Sequence, residues 1–393
     1  MDFDKYLNFH STLSSTIVNR VKDYIGLDLR QDVLFFCGSL IEGLGNKGSD
    51  LDVYLFTSRK DIELNPPYNT TFIMVNDIRC DINIFDFSEV ENLVLKLENW
   101  INKPRLVPTI MQFSNRERLL LHRIRTGMVL HGAKIFQKIR NRVPQNALMR
   151  QKLDLARHLT NSLQIDLAGM KASCDWVTMV YVAQNILDHC IDAFLAAHGF
   201  TNPSWKWRSK LLDRLPDGSA FQFFAYPPKE LKLKSTTYHI LRRAPAMIST
   251  SILDFTHRIV QIARTVMAWS EQRILAPNSE APIFLKRFNG DNPLPLLALD
   301  VTVQFEGGRF HIYRFSKPGS KFGLSARAFS LLSLFDGKTS KNHALLQASR
   351  LWGQEQGSKN LDDLIGLVCY GNFIASPAID DDKINSVLET FQF

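Results

Sequence analysis

The chain has 393 residues, of which 45% are apolar and 22% charged, so it is long enough for two or three domains with a substantial buried core. No uninterrupted apolar stretch approaches the roughly 20 residues that span a bilayer, and no contact with a membrane is expected. The five cysteines lack the spacing of a zinc site, and the first residues lack the pattern of a secretion signal. We therefore expect a reduced protein in the cytoplasm.

The formal net charge of +8 suits a polyanionic partner, either a nucleoside triphosphate or a nucleic acid. The basic residues are scattered along the chain, which is typical of a solvated surface. Nucleic acid is therefore the less favoured of the two partners.

The first 145 residues predict a small mixed sheet. Apolar spacing predicts a helix over residues 9–28, and a first strand follows at 33–37. After the turn at Gly38 and Ser39 we expect a short helix, then strands at 50–56 and 78–85. Residues 88–140 are expected to be mostly helical, with a helix over 116–131 that packs against the sheet.

Two aspartates alternate with apolar residues at the start of the second strand. Asp50 and Asp52 flank Leu51, so both carboxylates are expected on one face of the strand. Carboxylate oxygens are the ligands that Mg²⁺ prefers, and backbone N–H groups at a turn of small residues can approach phosphates. Ser39 and Ser49 could add hydroxyl contacts to the same phosphates.

A third carboxylate is expected from the third strand, where Asp81 lies in an alternating pattern. Asp81 is the candidate metal ligand and general base, since it could accept a proton from an attacking hydroxyl. Asp77 and Asp86 are its competitors, although both lie nearer the strand ends, where a structural cap is more common.

This set of residues resembles the DNA polymerase beta type nucleotidyltransferase superfamily. Its pattern is a Gly-Ser turn, a spacer, an aspartate pair and a third acid on a later strand, matched here by Gly38, Ser39, Asp50, Asp52 and Asp81. The resemblance covers about residues 25–140 and implies two Mg²⁺ ions held by Asp50, Asp52 and Asp81, with a nucleoside triphosphate as co-substrate.

The remaining chain predicts a helical bundle, a linker and a small terminal domain. Residues 146–276 hold long helical patterns at 151–170 and 176–198, and a bundle at this place resembles the antibiotic nucleotidyltransferases. A Pro- and Asn-rich linker at 277–296 leads to residues 297–393, where a hairpin and three short helices are expected. The overall prediction is an α+β protein.

The terminal domain resembles the PqqD-like winged-helix modules that grip leader peptides. The resemblance rests on residues 326–340, a helix that ends in Asp336-Gly337 before a polar stretch. It implies a precursor peptide added to the edge of the hairpin, whereas a winged helix of another family would bind DNA or a second subunit.

Two weaker patterns leave alternatives open. Trp205, Lys206 and Trp207 could offer a cation to a triphosphate and an indole to a base, but core tryptophans beside solvated cations are the favoured interpretation. Arg123, beside His122, could neutralise phosphate, although charged residues on such a helix usually face water.

Together these patterns predict an enzyme that transfers a nucleoside monophosphate, with ATP the favoured donor, to a hydroxyl of a small molecule or a ribosomal peptide and releases pyrophosphate. A toxin–antitoxin nucleotidyltransferase that acts on tRNA or protein is one alternative. A noncatalytic scaffold that binds a peptide is the other.

Overall fold

The computed structural model describes residues 31–46, 48–59, 70–75, 78–102, 112–216, 234–283, 285–317 and 321–375, with the single residues 15, 16, 19, 20, 23 and 319. The few described positions of the helix predicted over 9–28 are helical, and the rest of it lies outside these residues. The chain divides into two compact units. The first comprises Met1–Gln151 with Thr201–Trp207, and the second comprises Lys152–Phe200 with Arg208–Phe393.

The first unit is built on a mixed sheet of five strands in the order β3-β4-β2-β1-β5. Strands β2 and β4 are parallel, and the other neighbouring pairs are antiparallel. The strands are β1 (Val33–Cys37), β2 (Leu51–Thr57), β3 (Thr70–Val75), β4 (Ile78–Asp86) and β5 (Met128–His131).

Both faces of this sheet are apolar because its central strands carry apolar side chains on each side. Phe35, Tyr54 and Phe56 point to one face, where they pack with three helices, α1 (Phe87–Asn102), α2 (Asn115–Thr126) and α3 (Ala133–Asn141). Leu34, Phe36, Val53 and Ile82 form a second cluster on the other face. Burial on both sides holds the central strands rigidly, which fixes the polar residues at their ends.

Two predictions for this unit are wrong. The segment after Gly38 is not a helix but a series of turns, in which the carbonyl of Ser39 accepts hydrogen bonds from Leu44 and Gly45 at 2.7 and 2.8 Å. The helix predicted over 116–131 ends at Thr126, because the next residues leave the helix at an extended Gly127 and pair with β1 as β5.

The second unit joins long helices to a small sheet. The predicted helices at 151–170 and 176–198 are confirmed as α4 (Gln145–Ser173), within which the unit boundary falls, and α5 (Trp176–Ala197). The predicted hairpin is confirmed too, and an additional third strand makes an antiparallel sheet in the order β6-β7-β8. The other elements are α6 (Arg208–Asp213), α7 (Lys234–Arg242), α8 (Ser249–Leu275), β6 (Val301–Glu306), β7 (Arg309–Arg314), β8 (Lys321–Leu324), α9 (Ala326–Leu332), α10 (Lys341–Trp352) and α11 (Gln354–Tyr370).

Buried polar groups connect the helices of the second unit to this small sheet. Arg157 on α4 pairs with Glu271 on α8 at 2.7 Å, and Glu271 also accepts a hydrogen bond from the backbone N–H of Phe305 on β6 at 2.7 Å. Arg264 donates to the carbonyl oxygens of Ala298 and Val301 at 2.9 Å each. A bundle and a sheet connected in this way form one packed body.

The predicted α+β class is therefore confirmed: a mixed sheet with helices, a helical region, then a small antiparallel sheet with helices. Within the described part of the chain, no helix combines the length and the apolar character needed to cross a membrane.

Candidate active site

The predicted acids lie at one end of the five-stranded sheet. Asp52 on β2 and Asp81 on β4 are direct partners in the parallel register, so their side chains lie on the same face. Asp50 is exposed and lies one residue before β2 begins, two residues from Asp52. The fold thus brings Asp52 and Asp81 side by side, with Asp50 close in sequence.

Asp52 lies where burial and its neighbours perturb the charge of its carboxylate. Burial raises the pKa of Asp52 to about 6, and the neighbouring charges of Asp50 and Asp81 act in the same direction, whereas Arg123 and Lys206 act in the opposite one. A desolvated carboxylate among other carboxylates is destabilised in its charged form.

Position 38 requires a glycine because the side chain of Asp52 lies directly against its backbone. Its φ of +93° lies in the left-handed region that favours glycine, and a Cβ atom there would lie 1.8 Å from Oδ2 of Asp52. The backbone of the turn therefore lies directly against the carboxylate of Asp52.

The two serines predicted to contact phosphate differ in their surroundings. Ser39 is buried at the start of the turn series, with 8% of its surface exposed. The hydroxyl of Ser49 accepts a hydrogen bond from the N–H of Asn46 at 2.9 Å and donates to the Oδ1 of Asn46 at 3.4 Å. Ser49 thus closes its own turn, and the roles of Gly38, Ser39 and Ser49 toward a triphosphate stay predictions.

Glu42 was not predicted, although it is the centre of a buried hydrogen-bond network. Its carboxylate accepts from Nη1 of Arg123 at 2.8 Å, and it lies 3.0 Å from Nε2 of His122. Nδ2 of Asn202 donates to both carboxylate oxygens, at 3.1 and 2.9 Å. Burial opposes its charge, but the hydrogen bond and charge of His122, followed by Arg123, lower the pKa of Glu42 overall.

Arg123 connects this network to the acids. Its second terminal nitrogen lies 3.7 Å from Oδ2 of Asp52, and only 11% of the side chain is exposed. His122 is buried as well. The expectation that Arg123 faces water is therefore wrong, because α2 lays the face carrying Leu121 and Ile124 on the sheet and brings His122 and Arg123 toward the end of β2.

Asp81 is engaged by a basic neighbour on its own strand. Nε of Arg79 donates to Oδ1 of Asp81 at 2.6 Å and Nη2 donates to Oδ2 at 3.4 Å, while the guanidinium lies 5.1 Å from the ring centroid of Phe72. Among the described residues no group of three His, Cys, Asp or Glu side chains is gathered closely enough to hold a metal ion. The acids fit Mg²⁺ by their oxygen chemistry, but Asp81 is held by Arg79 instead.

The competitors of Asp81 have different positions. Oδ1 of Asp86, at the end of β4, accepts from the N–H of Ser88 at 2.7 Å and so binds the first turn of α1. Asp77 lies outside the described residues.

Two cysteines lie on the strands of this sheet. Cys37 and Cys80 are fully buried, and burial raises the pKa of the Cys80 thiol to about 11.

Comparisons with known proteins identify a distant likeness. No protein-family model matches the sequence, and no curated protein is similar enough to match. A solved structure of a nucleotidyltransferase-like protein from Exiguobacterium sibiricum resembles this chain with a TM-score of 0.31 and 11% sequence identity, over 66% of this chain and 80% of that one. A likeness of this size does not show an activity for this chain. The PqqD-like resemblance of the terminal domain stays a prediction.

Proposed function

We propose that this protein is a Mg²⁺-dependent nucleotidyltransferase, which moves a nucleoside monophosphate from a nucleoside triphosphate, with ATP the favoured donor, to a hydroxyl group and releases pyrophosphate. The observation that carries the proposal is the direct register of Asp52 and Asp81 on parallel strands, with the Gly38 turn packed against Asp52. Phosphoryl transfer depends on charge neutralisation and alignment; acids beside a glycine turn would hold the Mg²⁺ that supplies the first, and the N–H groups of the turn would supply the second.

Each group at the site would have a separate role. Asp50, Asp52 and Asp81 would hold Mg²⁺, which when bound neutralises charge on the triphosphate. The N–H groups of the Gly38–Ser39 turn would bind phosphate oxygens, and the Glu42 network would keep that turn fixed against Asp52. Asp81 would accept the proton of the attacking hydroxyl, after Arg79 has released its carboxylate.

The acceptor is proposed to be a small molecule or a peptide. Support for a peptide comes from β8, an edge strand of the small sheet in which Lys321, Phe322 and Gly323 are exposed. An extended peptide can add to such an edge through backbone hydrogen bonds. This part of the proposal is independent of the chemistry at Asp52.

Transfer of label from α-³²P nucleoside triphosphates tests the proposed reaction. The wild-type protein is incubated with Mg²⁺, each of the four nucleotides, and peptide, metabolite or tRNA fractions as acceptors. Label should move from one nucleotide to a small-molecule or peptide fraction, and Asp52→Asn should abolish the transfer. Label that enters tRNA would favour the toxin-like alternative instead, and no transfer to any fraction would refute the proposal.

A further inference from the structure

The segment 201–207 belongs to the first unit, although about fifty residues of the second unit precede it in the chain. Two buried side chains attach it to the site. Asn202 donates to both oxygens of Glu42, and Oγ1 of Thr201 lies 3.0 Å from Nδ1 of His122. Because Glu42 belongs to the Gly38 turn and Arg123 connects it to Asp52, the segment is tied to the candidate active site at its first two residues.

A hydrogen-bonded turn at Asn202 sets the direction of the residues that follow it. Oδ1 of Asn202 accepts a hydrogen bond from the N–H of Ser204 at 2.9 Å, and a 3₁₀ turn, Trp205–Trp207, follows directly. Such an Asx turn fixes the direction in which the following residues leave. Trp205 and Lys206 are therefore presented from a rigid base.

The exposure of Trp205 contradicts one part of the interpretation favoured by the sequence, whereas the exposure of Lys206 agrees with it. Trp205 is 73% exposed, so it is not a core tryptophan. Lys206 is exposed, and its Nζ lies 5.0 Å from the ring centroid of Trp207. Its charge also acts on Asp52, where it opposes the effect of burial and lowers the pKa.

We propose that Trp205 and Lys206 bind the nucleoside triphosphate at this site, with the base stacked on the Trp205 indole and the phosphates paired with the Lys206 ammonium. The inference rests on the proposed function and names its nucleotide-binding residues. A flat indole stacks on any base with little sequence preference, and a lysine offers a point charge that phosphates accept. Asn202 attaches the segment that carries both groups to Glu42 of the Gly38 turn.

Binding measurements on the full-length chain separate the two contributions. Calorimetric titration with Mg²⁺ and ATP is compared with inorganic tripolyphosphate, which has no base. Trp205→Ala should weaken ATP binding about 5- to 150-fold and leave tripolyphosphate unchanged, whereas Trp205→Phe should restore most of the affinity. Lys206→Gln should weaken both ligands about tenfold.

Matched controls come from exposed residues of the second unit. Tyr370→Ala removes an aromatic ring that is 90% exposed, and Lys359→Gln removes an exposed ammonium, so neither should change ATP binding. Thermal unfolding of every variant checks that the fold is retained.

The possible failures are distinguishable. If Trp205→Ala and Lys206→Gln bind ATP as tightly as the wild type, this inference is wrong, while label transfer that still depends on Asp52 leaves the proposed function intact. If Trp205→Ala keeps its ATP affinity but loses affinity for an aromatic acceptor, the inference is equally wrong and the indole belongs to the acceptor side. If the wild type binds no nucleoside triphosphate, both are refuted.

Discussion

At the residue scale, the site depends on close contact between a carboxylate and a glycine. The pattern of Gly38, Asp52 and Asp81 could be predicted from the sequence, because strand alternation and a turn are local properties. The contact between Glu42 and Asn202 could not be predicted, since this hydrogen bond joins residues 160 positions apart and depends on the tertiary fold. The exposure of Trp205 was missed for the same reason, because spacing alone does not tell which aromatic residues are core.

Asp52 should make the stability of the protein depend on pH. Its pKa is about 6 in the folded state, above the ordinary value of 3.8 for an aspartate, so the folded state holds the proton more tightly. This contribution to stability is fully present below about pH 4 and is lost as the pH rises through 6. Without metal, Asp52→Asn should therefore stabilise the fold at pH 8 by at most about 3 kcal/mol, but not at pH 4.

Urea unfolding at both pH values, with EDTA present, measures this difference. An Asp52→Asn variant that is less stable than the wild type at pH 8 would show that the carboxylate is stabilised by its partners, chiefly Arg123, and would contradict its destabilisation by burial and by the neighbouring acids.

At the element scale, strands in the middle of the sheet were predictable and those at its edges were not. Apolar runs reveal β1 and β2, because these strands are buried on both faces. Alternation reveals β4, in which Cys80, Ile82 and Ile84 are buried. Among the side chains of β3 that the structure describes, Ile73 packs against the core, while Phe72 and Met74 are exposed. The sequence of β5 continues the apolar spacing of the helix before it, α2. The two elements are distinguished by the extended backbone at Gly127 and by the pairing of β5 with β1.

Gly127 should be required for this change from helix to strand. A Cβ atom there would lie 2.5 Å from Cδ2 of Phe35 and 2.8 Å from the carbonyl oxygen of Arg123. Overpacking of this kind usually costs about 1–3 kcal/mol, so Gly127→Ala should lower the free energy of unfolding by that amount.

Gly169 provides the matched control, since it lies inside α4, where an added Cβ atom would meet no neighbouring group within 4 Å. Gly169→Ala should raise stability by roughly 0.5–1 kcal/mol, as alanine usually does in a helix. Chemical denaturation of both variants checks the pair, and equal effects would contradict the packing argument.

At the scale of the whole molecule, the terminal sheet is part of the second unit and not a separate body. The sequence predicted a linker at 277–296 from its prolines and asparagines, and such composition cannot reveal buried contacts across it. Ala268 on α8 belongs to the same apolar cluster as Val303 and Phe310 of the small sheet, and the Arg157–Glu271 pair reinforces this contact.

Glu271→Gln should therefore destabilise the helices and the small sheet together. The buried guanidinium of Arg157 would lose its countercharge, and breaking such a pair usually costs about 3–5 kcal/mol. Glu306→Gln is the control, because its pair with Lys321 is half exposed and should contribute less than about 1 kcal/mol. Hydrogen exchange of β6 and α8 should accelerate together in Glu271→Gln, whereas faster exchange confined to β6 would contradict a single packed body.

The whole proposal depends on catalysis of nucleotidyl transfer by the acids beside Gly38. Its most direct test is the rate of pyrophosphate release with Mg²⁺, a nucleoside triphosphate and the acceptor fraction that takes up label, for the wild type and for Asp50→Asn, Asp52→Asn and Asp81→Asn. We expect release by the wild type and a loss of at least about a hundredfold in each variant, since each acid would help to hold the Mg²⁺ that stabilises charge in the transition state. Release that persists in Asp52→Asn, or no release by the wild type with any nucleotide, would refute catalysis by these acids.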